Sequence, residues 1–138
     1  GASAISTNET KQYFDLNTTG IGYLNRVREV TPKEGEPFLS ITIAALRGSV
    51  DNAQYTHFEC RVSGKQAQEI VRQLKPAVEG NLKVLIGFTL SDLFAESFTF
   101  KNGDKAGETG ISLKARLLRL AWAKVDGQPF YSAQDNAA

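Results

Sequence analysis

Hydrophobic and polar positions alternate with period two along most of this chain, and one stretch of helical period interrupts them. Residues Tyr13 to Val30 form the first extended region. Gly20 and Gly22 flank Ile21 there, a pattern that predicts a bend or bulge. Thr31 to Pro37 reads as a turn, with two prolines lacking N–H donors and Gly35 free to reverse the chain. Phe38 to Arg47 reads as the next strand, with Leu39, Ile41 and Ile43 on one side and Phe38, Ser40 and Thr42 on the other. After a polar loop over Gly48 to Ala53, Tyr55 to Val62 alternates again. Phe58, Cys60 and Val62 share one face, and Tyr55, His57, Glu59 and Arg61 share the other.

Ser63-Gly64 ends this alternation, and Ser63 is placed to cap a helix. Ala67, Ile70, Val71 and Leu74 then recur at helical spacing, with Pro76 and Gly80 bracketing the end. A long strand region runs from Asn81 to Phe100, a wide loop covers Lys101 to Gly110, and Ile111 to Lys124 returns. Asp126-Gly127 makes a tight turn before a short strand over Gln128 to Tyr131. Three strands, a helix and two long strands predict an all-β fold with one helix. The expected architecture is a five-stranded OB-fold Greek-key barrel with an extended hairpin between its last two long strands. A plain five-stranded roll with a packed helix is the competing topology. Residues 13–131 form the expected domain, and 1–12 and 132–138 the expected flexible tails.

At 138 residues the chain has the length of one domain, and 41% hydrophobic with 22% charged residues is an ordinary globular composition. Sixteen Lys+Arg against fifteen Asp+Glu leave a net charge of +1, which excludes a histone-like polycation. It leaves open a locally basic surface. Cys60 is the sole cysteine, so neither an internal disulfide nor a multi-cysteine zinc site is available. No apolar run is long enough to span a bilayer as a helix and no signal-peptide pattern opens the chain, so a cytoplasmic protein without membrane partners is expected.

Gly22-Tyr23-Leu24-Asn25-Arg26-Val27 resembles the opening strand of bacterial single-stranded-DNA-binding proteins. Tyr55 to Lys65, ending Val62-Ser63-Gly64-Lys65, is similar to their third strand and helix start, and Asn81 to Gly87 to the strand that follows. Over residues 13–131 the chain resembles more closely an SSB-like family of small replication proteins of integrative and conjugative elements, a former domain-of-unknown-function family. The blocks are Tyr13-Phe14-Asp15-Leu16, Thr19 to Val30, Val84-Leu85-Ile86-Gly87-Phe88, Ile111 to Leu118, and Lys124-Val125-Asp126-Gly127. The resemblance implies an OB-fold, no enzymatic activity, and a role in maintenance or transfer of a mobile element. The chain departs from housekeeping single-strand binders in having one tryptophan, Trp122, in place of a tryptophan-rich face.

Single-stranded nucleic acid requires flat surfaces for bases and cations along the phosphate path. The aromatic candidates are Phe38, Tyr55, Phe94, Phe98 and Phe100, with Phe58 and Phe88 assigned to the core. Phe94, Phe98 and Phe100 share parity on an arm that has no core of its own, so DNA or a second subunit is expected to cover them. The cationic candidates are Arg26, Arg28, Arg47, Lys101, Lys105, Lys114, Arg116 and Arg119. Lys114, Arg116, Arg119 and Lys124 stand in a segment without acidic residues, Lys114 and Arg116 on one side; Arg26 and Arg28 likewise share a side of the first strand.

No catalytic constellation emerges. His57 and Cys60 fall on opposite faces of one strand, and the glycines of the hairpin loop lack a Gly-Lys-Ser/Thr ending. Asp92, Glu96, Asp104 and Glu108 have no fixed scaffold for a metal. The expectation is a non-enzymatic protein without cofactor or metal that binds single-stranded DNA sequence-tolerantly in replication or transfer of a mobile element. A homo-oligomer, dimer or tetramer, and contacts with replication or conjugation proteins are expected partners. The alternative is an accessory OB-fold that joins a replication or conjugation complex with weak or no DNA binding.

Overall fold

A computed structural model describes residues 12–133. The expected flexible tails fall almost wholly outside the described residues. Six strands and one helix follow in order: β1 (Asn17–Val30), β2 (Phe38–Ser49), β3 (Asn52–Val62), α1 (Lys65–Glu79), β4 (Val84–Thr99), β5 (Thr109–Val125) and β6 (Gln128–Ser132). The sheet order is β3-β2-β1-β4-β5-β6, and a parallel pairing of β3 with β5 closes the first five strands into a barrel. The architecture is OB-fold-like, and β6 pairs with β5 outside the closed ring.

Closure depends on strands that change partner along their length. The first half of β1 pairs with β4 and the second half with β2, with Gly22 and Tyr23 in both ladders. At Gly22 the backbone of β2 approaches so closely that a Cβ would stand 2.6 Å from the Ala44 carbonyl oxygen. The expected bend therefore exists, but the bulge lies further on, between Asn25 and Arg28, where Arg26 has φ +49°. Three more register shifts interrupt the β4–β5 ladder, at Gly87/Phe88, Thr89/Leu90 and Ser91/Phe94. Such shifts add twist and coil the strands enough to close a small barrel. Past the last one, Phe94–Thr99 and Thr109–Lys114 run on together as a two-stranded arm.

The core is lined by Leu24, Leu39, Ile41, Ile43, Ile86, Leu90, Leu117 and Leu120, all at most 2% exposed. Phe58 and Phe88 meet edge to face inside it. Helix α1 packs Ala67, Ile70, Val71 and Leu74 onto this core, the stripe its spacing predicts.

The helix start differs from expectation, whereas Gly80 caps the end that the sequence brackets with it. The N-cap is Gly64, with no side-chain cap, and Ser63 Oγ instead accepts a hydrogen bond from Arg116 Nη1 at 3.3 Å. Ser63 and Gly64 also donate their N–H groups to the Leu117 carbonyl, and a Cβ on Gly64 would collide with the Leu118 carbonyl. The chain start of α1 is thus welded to β5, a position that a bulkier cap would not fit. Pro76 lies inside the last turn of the helix. The terminus is a Schellman motif in which Asn81 takes the left-handed position, φ +63°. Its N–H donates to the Val78 carbonyl and that of Leu82 to the Ala77 carbonyl.

Two segment boundaries also shift. Tyr13 to Leu16 precede β1 without joining a ladder, although the Leu16 carbonyl accepts from the Asp92 N–H. The polar loop expected over Gly48 to Ala53 is almost entirely ladder, since Ser49 pairs with Asn52 and only Val50 and Asp51 turn.

Candidate nucleic-acid interface

The ladders align side chains from five strands into rows across the outside of the barrel. One row runs Arg28, Ser40, Arg61, Arg116, Ser91. The next runs Asn25, Thr42, Glu59, Lys114, Phe94. Residues directly paired across a ladder share a face, so both rows lie on the side opposite Ile41, Ile43 and Cys60. A cavity of about 220 Å³ opens here, lined among others by Arg28, Glu59, Arg61, Phe94, Lys114 and Arg116. Of the residues expected to bind, the structure thus brings together Arg28, Phe94, Lys114 and Arg116, with Phe38 beside them through Arg61.

The electrostatics of this face depart from the sequence reading of an unopposed basic strand. Lys114 Nζ lies 3.3 Å from Glu96 Oε1, and Arg116 Nε lies 3.5 Å from Asp92 Oδ2. Arg28 Nη2 lies 3.3 Å from Glu59 Oε1, and Thr42 Oγ1 donates to Glu59 Oε2 at 3.0 Å. Three of the four cations around the cavity therefore face a carboxylate, Lys114 and Arg116 from the neighbouring β4 and Arg28 from β3 across β2. These pairs are partly or largely open to water, where Coulomb attraction is weak and a phosphate can compete for the cation.

The aromatic residues expected to bind fall in three patches. Phe38 is half-buried under Arg61, whose guanidinium carbon stands 4.1 Å from the ring centroid, so the ring expected to meet a base is already covered by a cation. On the arm, Phe94 and Phe98 are exposed, and Phe98 meets Phe100 edge to face at 4.8 Å. Both rings of that pair sit over Gly110, where a Cβ would come within 3 Å of each. Lys105 Nζ lies 5.6 Å from the Phe100 centroid. The arm therefore covers Phe100 with its own residues and leaves Phe94 and Phe98 open. The third patch is Tyr55 with Tyr23 and His57, at centroid distances of 6.4 and 6.5 Å. Tyr55 shares the outward face of β3 with Arg61, about 20 Å away along the strand.

Other expected residues lie apart from the cavity. The β1 bulge takes Arg26 out of the ladder, so it does not share a row with Arg28, though its carbonyl accepts from Arg28 Nη1. Arg47 donates to Thr56 Oγ1 near the β2–β3 turn. Arg119 pairs with Thr89, one register shift beyond the Arg116–Ser91 pair, and Lys101 is exposed in the hairpin loop. Conversely, Arg61, Glu59, Asp92 and Tyr23 belong to the face and were absent from the sequence candidates. For Arg61 and Glu59 the signal was available, since both alternate in step with Tyr55. Cys60 lines the cavity from the core side, and burial, with Glu59 adding to it, pushes its thiol up to about 12 from 9.0.

Among the described residues no group of three or more His, Cys, Asp or Glu is placed to hold a metal ion, and no helix is long and apolar enough to cross a membrane. No curated protein sequence matches the chain. A family described as a protein of unknown function, DUF3577, matches residues 7–138, and this chain belongs to that family.

Proposed function

We propose that this protein binds single-stranded DNA with broad sequence tolerance along the outer face of β1, β2, β3 and β5, extended by the aromatic arm. One observation carries the reading. The ladder rows bring Arg28, Arg61, Lys114 and Arg116, from three different strands, around one cavity that ends at an exposed phenylalanine. Phosphates have cations at ladder spacing, and bases have Phe94 and Phe98 to stack on, at about 1–3 kcal/mol per base. The OB-fold-like barrel supports it, because this face of such barrels is where oligonucleotides are held. A place in the replication or transfer of a mobile element rests on the resemblance of the sequence blocks, and the cytoplasmic, homo-oligomeric reading is proposed with it.

The carboxylates that oppose Arg28, Lys114 and Arg116 favour the second reading, an accessory module that docks a replication or conjugation protein. Titration of labelled oligo-dT at about 50 mM salt separates the two. Binding is expected, with Lys114→Glu plus Arg116→Glu flattening the salt dependence and Phe98→Ala weakening binding at nearly unchanged slope. Absence of binding at low salt overturns the DNA reading. A change confined to oligomer mass in light scattering assigns the arm to subunit contacts.

A further inference from the structure

We propose that Glu59 makes the single-strand site selective for amino-bearing bases over thymine, an inference that rests on the face being a single-stranded DNA site. Glu59 lies at the middle of the second row, between Thr42 and Lys114, and Phe94 follows on the next strand. Adjacent strands are about 4.8 Å apart, so Glu59 and Phe94 are separated by about 10 Å across the strand of Lys114. A base stacked on Phe94 spans much of that distance and presents its edge toward Lys114 and Glu59.

The carboxylate is held rather than free. Arg28 donates to one oxygen and Thr42 to the other, while Lys114, although level with Glu59, reaches along its strand to Glu96. A carboxylate has about four acceptor positions, so each oxygen of Glu59 keeps one after these bonds are made. Its side chain is 27% exposed and lines the cavity. The other charged groups that line the cavity are Arg28, Arg61, Lys114, Arg116 and Asp92. A fixed acceptor that only accepts discriminates by what a base can donate. Cytosine offers its N4 amino group, with N3 and O2 left for a cation. Thymine offers one N3–H between two carbonyl oxygens, both of which a carboxylate repels. Comparing the two pyrimidines isolates amino from carbonyl at constant ring size.

The test compares oligo-dC with oligo-dT of equal length at mildly alkaline pH, where both remain single-stranded. The intact protein is expected to bind oligo-dC about tenfold tighter, within the range that one side-chain-to-base pair discriminates. Glu59→Gln, which adds a donor for the thymine carbonyl, brings the ratio near unity. Thr42→Val keeps the charge, loosens the carboxylate and lowers the ratio part of the way. Asp92→Asn removes the same charge from the same face and leaves the ratio unchanged while raising both affinities. Should Glu59→Gln not fold, Thr42→Val and Asp92→Asn still decide. Equal affinities in the intact protein, or equal effects of Asp92→Asn and Glu59→Gln on the ratio, overturn the proposal alone. Failure to bind either oligonucleotide overturns it together with the DNA-binding reading.

Discussion

The guanidinium of Arg61 lies over the ring of Phe38, its carbon 4.1 Å from the centroid, joining β3 to the start of β2 on the outward face. The pair presents a cation that is already held in place by a ring. An exposed contact of this kind contributes about 0.5–1 kcal/mol, so Arg61→Ala should lower stability only slightly. Its effect on oligonucleotide affinity should be several-fold, because a held guanidinium loses little freedom on meeting a phosphate or base. Arg47→Ala, at the far end of the same hairpin, is the control and should leave affinity nearly unchanged. Fluorescence anisotropy with both variants checks this.

Asp92 and Glu96 occupy two cations that DNA would use. Asp92→Asn combined with Glu96→Gln should therefore strengthen binding several-fold at low salt and steepen the salt slope by roughly one to two. Thermal stability should barely move, since exposed pairs contribute at most about 1 kcal/mol each. A weaker-binding double variant would mean that the carboxylates position Lys114 and Arg116 instead of competing for them.

Gly22→Ala places a methyl against the β2 backbone, 2.6 Å from the Ala44 carbonyl and 2.7 Å from the Ala45 Cα. That backbone cannot give way without moving a ladder, and overpacking costs typically ~1–3 kcal/mol, here at the upper end. Gly20→Ala meets only the tip of Phe88, at 3.1 Å, and should cost less. Urea denaturation of the two variants orders them directly.

Cys60 is a thiol whose folded-state value, about 12, exceeds its unfolded value near 9.0. The folded state holds the neutral form, so its contribution is complete below the unfolded value and is lost as pH rises between about 9 and 12. The urea midpoint of the native protein should fall over that window faster than that of Cys60→Ala. A thiol reagent at pH near 8 should label Cys60 only when urea unfolds the chain.

The barrel was legible because alternation is local: Leu39, Ile41 and Ile43 declare their face whatever they pair with, and the helix declares itself through Ala67, Ile70, Val71 and Leu74. The charge layout of the face was not. Asp92 reaches Arg116 because a register shift at a left-handed aspartate, φ +57°, sets two residues of β4 opposite one of β5. No glycine or proline marks that site in the sequence. Arg26 is the same case on β1, a left-handed non-glycine residue in an alternating run, and the parity that joined it to Arg28 fails there. Ser63 looked like a cap because capping is read from neighbours in sequence, whereas its hydroxyl is taken by an arginine from a distant strand.

The parallel pairing of Phe58–Val62 with Leu113–Leu117 joins distant parts of the chain, and it is the contact that sets Arg61 beside Arg116 and Glu59 beside Lys114. Such a non-local pairing must close a long loop, so it depends on the barrel as a whole and not on a local segment. The two cationic rows therefore do not exist in any partly folded chain with β3 and β5 apart. Whatever occupies the face binds the closed ring and not the open one, and by mass action it must tighten that seam. Amide exchange along Phe58–Val62 then becomes a gauge of occupancy, slowing as ligand is added even where no ligand atom touches the backbone.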